Sequence, residues 1–217
     1  MAISKANFNS FNVTPTASKF ITFNSSNNGL AADDVGGNLN LISTQTASSS
    51  ASLSFTSGID STYKEYIFKL INIHPATDTS HFTFNFSTDG GSSYNVTKSS
   101  AAFRAYHYED GTSGNGLSYS AGSDLQQSTN YQYFNWEMSN DNDSSISGTL
   151  HLFDPSNTTF LKRFIATSNN VGDGSPNYSN HQFTSGYGNT TSAIDAIDFK
   201  FNSGNIDSGV IKMYGVL

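Results

Sequence analysis

The stretch "HFTFNFSTDGGSSYN" (His81–Asn95) sets phenylalanine at 82, 84 and 86 and then breaks on Asp-Gly-Gly. Apolar residues at period two mark a strand with one buried face. Three benzyl groups on that face need a second layer over them, so Phe82, Phe84 and Phe86 are expected to line a core between two sheets. The same period recurs in "KFITF" (19–23), "NLNLIS" (38–43), "ASLSFT" (51–56), "FRAYHY" (103–108), "ISGTLHLF" (146–153), "FLKRFIAT" (160–167), "AIDFKFN" (196–202) and "GVIKMYGV" (209–216). Clusters of Gly, Asn, Asp, Ser and Pro separate most of these runs. Many short strands joined by turns predict an all-β chain, an antiparallel β-sandwich of jelly-roll-like type. No window carries helical spacing with caps.

Two runs carry sharper expectations. In "YKEYIFKLINI" (63–73), Tyr66, Phe68 and Leu70 share one face and Ile67, Ile71 and Ile73 the other. A strand apolar on both faces is expected to be central, with cover on each side. In "YQYFNWEMS" (131–139), alternation puts Phe134, Trp136 and Met138 on a core face and Tyr131 and Tyr133 on the opposite one.

The first 45 residues are thin in large apolar groups. So polar a segment buries too little surface to fold alone. Residues 1–45 therefore read as an N-terminal attachment arm, extended against a neighbour, and 46–217 as the sandwich domain. "EDGTSGNGLSYSAGSD" (109–124) and "NNVGDGSPNYSNHQ" (169–182) read as long polar loops, the kind that carry function.

Charged residues make up 12% of the chain, about half the usual ~25%. Ser, Thr, Asn and Gly replace them, which suits an extracellular or particle-surface protein. The ten Lys and Arg are spread thinly under a net charge of -7, so no nucleic-acid partner is expected. The chain contains no cysteine, which excludes disulfides and thiolate metal sites. No segment reaches the ~20 apolar residues of a membrane helix, and no membrane insertion is expected.

The motifs of chemistry are sparse. "STDGGSSY" (87–94) resembles the Asp-box hairpin of sialidases, S-x-D-x-G-x-[ST]-aromatic, which is a structural turn. Asp89 is expected to cap it, with Gly90 and Gly91 at left-handed positions. His107, Glu109 and Asp110 stand together at a loop mouth, and Asp141 and Asp143 in "NDNDSS" offer hard oxygens to Ca²⁺ without the glycine and terminal glutamate of an EF-hand. Neither GxSxG nor HExxH occurs. No catalytic residue, metal ligand or cofactor site is assigned, and an enzyme is not expected. Tyr106, Tyr108, Tyr131, Tyr133, Tyr178 and Tyr187, in or near the polar loops, suit either stacking on the C–H faces of sugar rings or contact with a neighbouring subunit.

Four pieces occur in order: "TASSSASLSFTSGIDSTYKEYIFKLINIHPATD", "FNFSTDGGSSY", "SGTLHLFDPSNTTFLKRFIATS" and "SGVIKMYGVL". Over residues 45–217 their order and spacing resemble a domain of tailed-bacteriophage structural proteins, marine phages especially, often found at the end of tail fibres. The resemblance implies a β-sandwich without catalytic residues, homo-oligomeric and often trimeric assembly, and exposure on the virion exterior. Other virion proteins would be met through residues 1–45, and host surface glycans through the loops. No shaft, coiled coil or repeat precedes the domain here. A knob, a fibre tip, a head decoration protein and a stand-alone carbohydrate-binding module therefore stay open.

Overall fold

The computed structural model describes residues 19–23, 30–34 and 39–216. The chain divides into two units, 1–38 and 39–217. In the first, strands β1 (Lys19–Phe23) and β2 (Leu30–Asp34) pair antiparallel. The rest of the expected arm up to residue 38 lies outside the described residues.

The second unit is all-β and antiparallel throughout. Its strands are β3 (Leu39–Ser50), β4 (Leu53–Phe55), β5 (Glu65–Pro75), β6 (Phe82–Ser87), β7 (Lys98–Tyr108), β8 (Asn115–Tyr119), β9 (Gln132–Tyr133), β10 (Ile146–Phe153), β11 (Lys162–Gly172), β12 (Tyr178–Gly188), β13 (Ala196–Phe201) and β14 (Ile206–Val216). One sheet has the order β3-β14-β5-β10-β11-β12-β7-β8 and the other β4-β13-β6-β9. Successive strands β3 to β6 alternate between the sheets, as do β9 with β10 and β13 with β14. The two sheets pack face to face as a sandwich, with Phe164 of β11 set against Phe84 and Phe86 of β6. Strands β12, β7 and β8 continue the large sheet past β11.

The core lies between the sheets. Phe82, Phe84 and Phe86 of β6 are fully buried: Phe84 and Phe86 meet Phe164 of β11, Phe82 and Phe84 meet Phe134, and Phe199, beside them on β13, meets Phe68 of β5. Tyr66, Phe68 and Leu70 supply the inner face of β5.

The structure corrects the arm boundary. Residues 39–45 belong to β3, which pairs with β14 along its length, so the body begins at Leu39 and a boundary at 45/46 would cut a strand. Among the described residues, cover on both faces of β5 is also not found. Ile71 is exposed on the outer face, whereas Ile73 turns inward, because Asn72 takes φ 49° and shifts the register against β10. Leu41, Ile71, Ile165, Phe103 and Leu117 are exposed on that outer face, Ile165 47% and Leu117 73%, among polar neighbours such as Lys69 and His151.

Both expected loops contain strand. β8 occupies 115–119, and β11 and β12 reach far into 169–182, leaving a turn at 173–177. Their inward positions are amides rather than hydrocarbons: Asn170, Asn180 and Gln182 are all buried.

Candidate saccharide-binding surface

Residues 134–139 leave the sheet after the two-residue strand β9, and side-chain amides and hydroxyls hold them where a ladder does not. Asn170 Nδ2 donates to the carbonyls of Glu137 (3.0 Å) and Trp136 (3.4 Å). Ser168 Oγ donates to Phe134 O at 2.7 Å, and Phe82 N donates to Asn135 Oδ1 at 2.6 Å. Phe134 and Met138 enter the core, as alternation predicts, but Trp136 does not. It turns to the surface between Arg104 and His81.

There it joins a continuous tract. Tyr133 stacks on His81 with ring centroids 4.4 Å apart, and His81 meets Trp136 edge-on at 5.4 Å. The Arg104 guanidinium lies 5.1 Å from the Trp136 centroid and 5.2 Å from that of Tyr106. Tyr106, Tyr108 and Tyr178 then close a triangle with centroid separations of 6.0, 6.3 and 5.1 Å. Tyr178 is buried; the other members of the tract are half-buried. Burial lowers the His81 pKa and raises that of Tyr178, which favours the neutral form of each.

Two glycines make room for these rings. A Cβ on Gly122 would come within 2.6 Å of the Trp136 indole, and one on Gly172 within 2.2 Å of the Tyr178 ring. A shallow depression of about 120 Å³, lined by Arg104, Ser118, Ser120, Gly122 and Trp136 among others, opens on one side of the indole. A second, about 190 Å³, runs past Gly122, Asp124, Tyr131 and Tyr133. Arg104 Nη1 is buried and has no hydrogen-bond partner in the protein. A larger depression of about 440 Å³ lies elsewhere, at Phe153, Phe160 and Arg163, but gathers no comparable set of rings.

Of the six tyrosines singled out from sequence, Tyr106, Tyr108, Tyr133 and Tyr178 meet in this tract, and two do not. Tyr131 donates its hydroxyl to Asp198 at 2.9 Å, under Lys200 at 4.1 Å from its ring; burial and that carboxylate raise its pKa. Tyr187 stands at the far end of β12, on the outer face, beneath the Arg163 guanidinium. Arg104, Trp136 and His81 are the members that sequence reasoning missed. Their signal was present only as a tryptophan, an arginine and a histidine in separate segments.

The remaining singled-out residues are turn builders. Asp89 Oδ1 accepts from Ser87 Oγ (2.6 Å) and Ser93 N (2.9 Å), bonds that lower its pKa, and Gly90 and Gly91 take φ 71° and 87°. Asp110 accepts from the hydroxyls and backbone N–H groups of Ser113 and Thr112, which hold its pKa down, while His107 points from the opposite face of β7 to Tyr106 and Tyr108. Asp141 accepts from Asn177 Nδ2, and its carbonyl takes the Ser144 N–H. Among the described residues, no three His, Asp or Glu side chains converge on a point that would hold a metal ion. Compared with protein families, with curated proteins and with solved structures, the chain finds no match.

Proposed function

We propose that this chain is a structural protein of a bacteriophage particle, displayed on the exterior as a fibre-tip or knob-type domain, where it contacts host surface saccharides. In this reading residues 1–38 attach it to other virion proteins, and copies of the chain associate as a homotrimer. The saccharide contact rests on one observation: a half-buried tract of aromatic rings in which the Arg104 guanidinium lies between Trp136 and Tyr106, with a shallow depression beside the indole. Flat rings take the C–H faces of a pyranose, and a guanidinium donor takes its hydroxyls. A neutral, hydroxyl-rich surface around the tract fits such a ligand better than a charged one. Jelly rolls also serve as capsid and lectin domains, a support at the level of fold analogy alone. The exposed apolar residues of the outer face support association between copies.

Trp136 is the chain's one tryptophan, so its fluorescence reads the tract directly. Saturable quenching by a host-surface oligosaccharide is expected, together with signal on a broad glycan array that is lost in Tyr106→Ala and kept in Tyr187→Ala. Absence of any saccharide signal, or binding untouched by Tyr106→Ala, overturns the reading.

A further inference from the structure

Lys98 opens β7 of the large sheet and is fully buried. Its Nζ is hydrogen-bonded to Asn85 Oδ1, and to the carbonyl of Val96 at 2.9 Å. Among the described residues no carboxylate forms an ion pair with it. A buried ammonium with only two neutral acceptors is an expensive structural device. Lys162, the other fully buried lysine, is held by three carbonyls and has Asp154 near it. Burial brings the Lys98 pKa down to about 7, so the free amine, which is the nucleophile, is well populated at neutral pH.

The group it touches is prepared as an electrophile. Asn85 lies on β6 of the small sheet and is fully buried. The Phe86 N–H donates to Asn85 Oδ1 at 2.8 Å, where negative charge would develop on attack at Cγ. Nδ2 is fixed by the carbonyls of Tyr94 (2.7 Å) and Thr129 (2.9 Å). Directly across the ladder from Asn85 stands Asp198 of β13, 3% exposed, its carboxylate held by Ser54 Oγ and Tyr131 Oη. Antiparallel partners project to the same face with Cβ atoms ~5 Å apart.

We propose that Lys98 and Asn85 join in an intramolecular isopeptide bond. The Nζ lone pair attacks Cγ of Asn85, and the carbonyl electrons move onto Oδ1 beside the Phe86 N–H. Collapse of this intermediate breaks the Cγ–Nδ2 bond. Nitrogen departs as ammonia, taking the proton that Nζ gives up. The step needs no oxidant, reductant or cofactor. Its product is a neutral amide that ties β7 to β6, one sheet to the other, in a chain with no cysteine to do so. It also removes the buried amine. Such a tie suits a domain that bears load on a particle, but the chemistry stands without that reading.

Intact mass measurement of the full-length chain tests it. The wild type is expected to be lighter than its sequence by one ammonia, and Lys98→Met to have the full sequence mass. Cleavage before aspartate separates Asn85, in peptide 78–88, from Lys98, in peptide 89–109. The two are expected to remain covalently joined in wild-type digests, a readout that does not depend on any variant folding. Wild-type protein at full sequence mass, or release of the two peptides singly, overturns the proposal.

Discussion

Phe84 of the small sheet meets Phe164 of the large one edge to face, ring centroids 5.4 Å apart and planes at 86°. Phe84 also contacts Phe86, Phe134 and Phe199, so its ring joins both sheets to the irregular segment that carries Trp136. Phe84→Ala is expected to destabilise the body by about 3–5 kcal/mol, the range for emptying a buried aromatic site. Urea unfolding followed by far-UV circular dichroism measures it.

Gly122 seats the indole of Trp136, and any side chain there meets the ring within 2.6 Å. Gly122→Val is expected to displace Trp136, shift its emission and abolish saccharide binding while leaving the far-UV spectrum intact. Emission spectra and binding titrations on the same sample check both halves.

Gly91 combines a φ of 87° with close neighbours, since a Cβ there would lie 2.7 Å from Tyr94 Oη and 2.8 Å from Thr56 Cγ2. Gly91→Ala is expected to cost more than the about 1 kcal/mol that a left-handed alanine alone costs. Gly90, with φ 71° but open space around it, gives the comparison: Gly90→Ala should show the backbone cost without the clash. Thermal melts of the two variants separate the terms.

His81 has its pKa lowered by burial, and its Nδ1 is buried without a partner. A folded-state pKa below the unfolded value of about 6.5 means that the unfolded chain binds more protons between the two. The stability contributed by neutral His81 is complete above pH 6.5 and is lost as the pH falls from there through the folded pKa. His81→Phe keeps a ring against Tyr133 and removes the titration. Melting temperatures from pH 8 to pH 5 are expected to fall more steeply for the wild type than for this variant.

The sheets were legible because their buried faces are hydrocarbon. Phe82, Phe84 and Phe86, with Tyr66, Phe68 and Leu70, announce two facing layers by period alone. Strand β3 was legible only in its first half, "NLNLIS", for the opposite reason. "LNLISTQTASSS" buries little beyond Ala47 and owes its place to backbone pairing with β14, which side-chain composition does not record. The tip of the β11–β12 hairpin, residues 169–182, was read as loop since its inward residues, Asn170, Asn180 and Gln182, are buried amides instead of an apolar face. Trp136 was placed in the core because alternation was carried through 131–139, whereas the ladder ends at Tyr133 and buries Gln132 and Asn135. Four tyrosines of the tract were named from sequence, but their meeting with His81, Arg104 and Trp136 depends on pairing of β7 with β12 and on a cover segment from elsewhere in the chain. Period carries no information on either.

Across the outer face of the large sheet, Leu41, Ile71, Ile165, Phe103 and Leu117 are exposed, and association between copies is expected to cover them. Native mass spectrometry of the full-length chain tests this most directly. A homotrimer is expected, one that dissociates in Ile165→Glu combined with Phe103→Glu while the body stays folded. A wild-type monomer at micromolar concentration would contradict the account of an assembled, outward-facing particle protein.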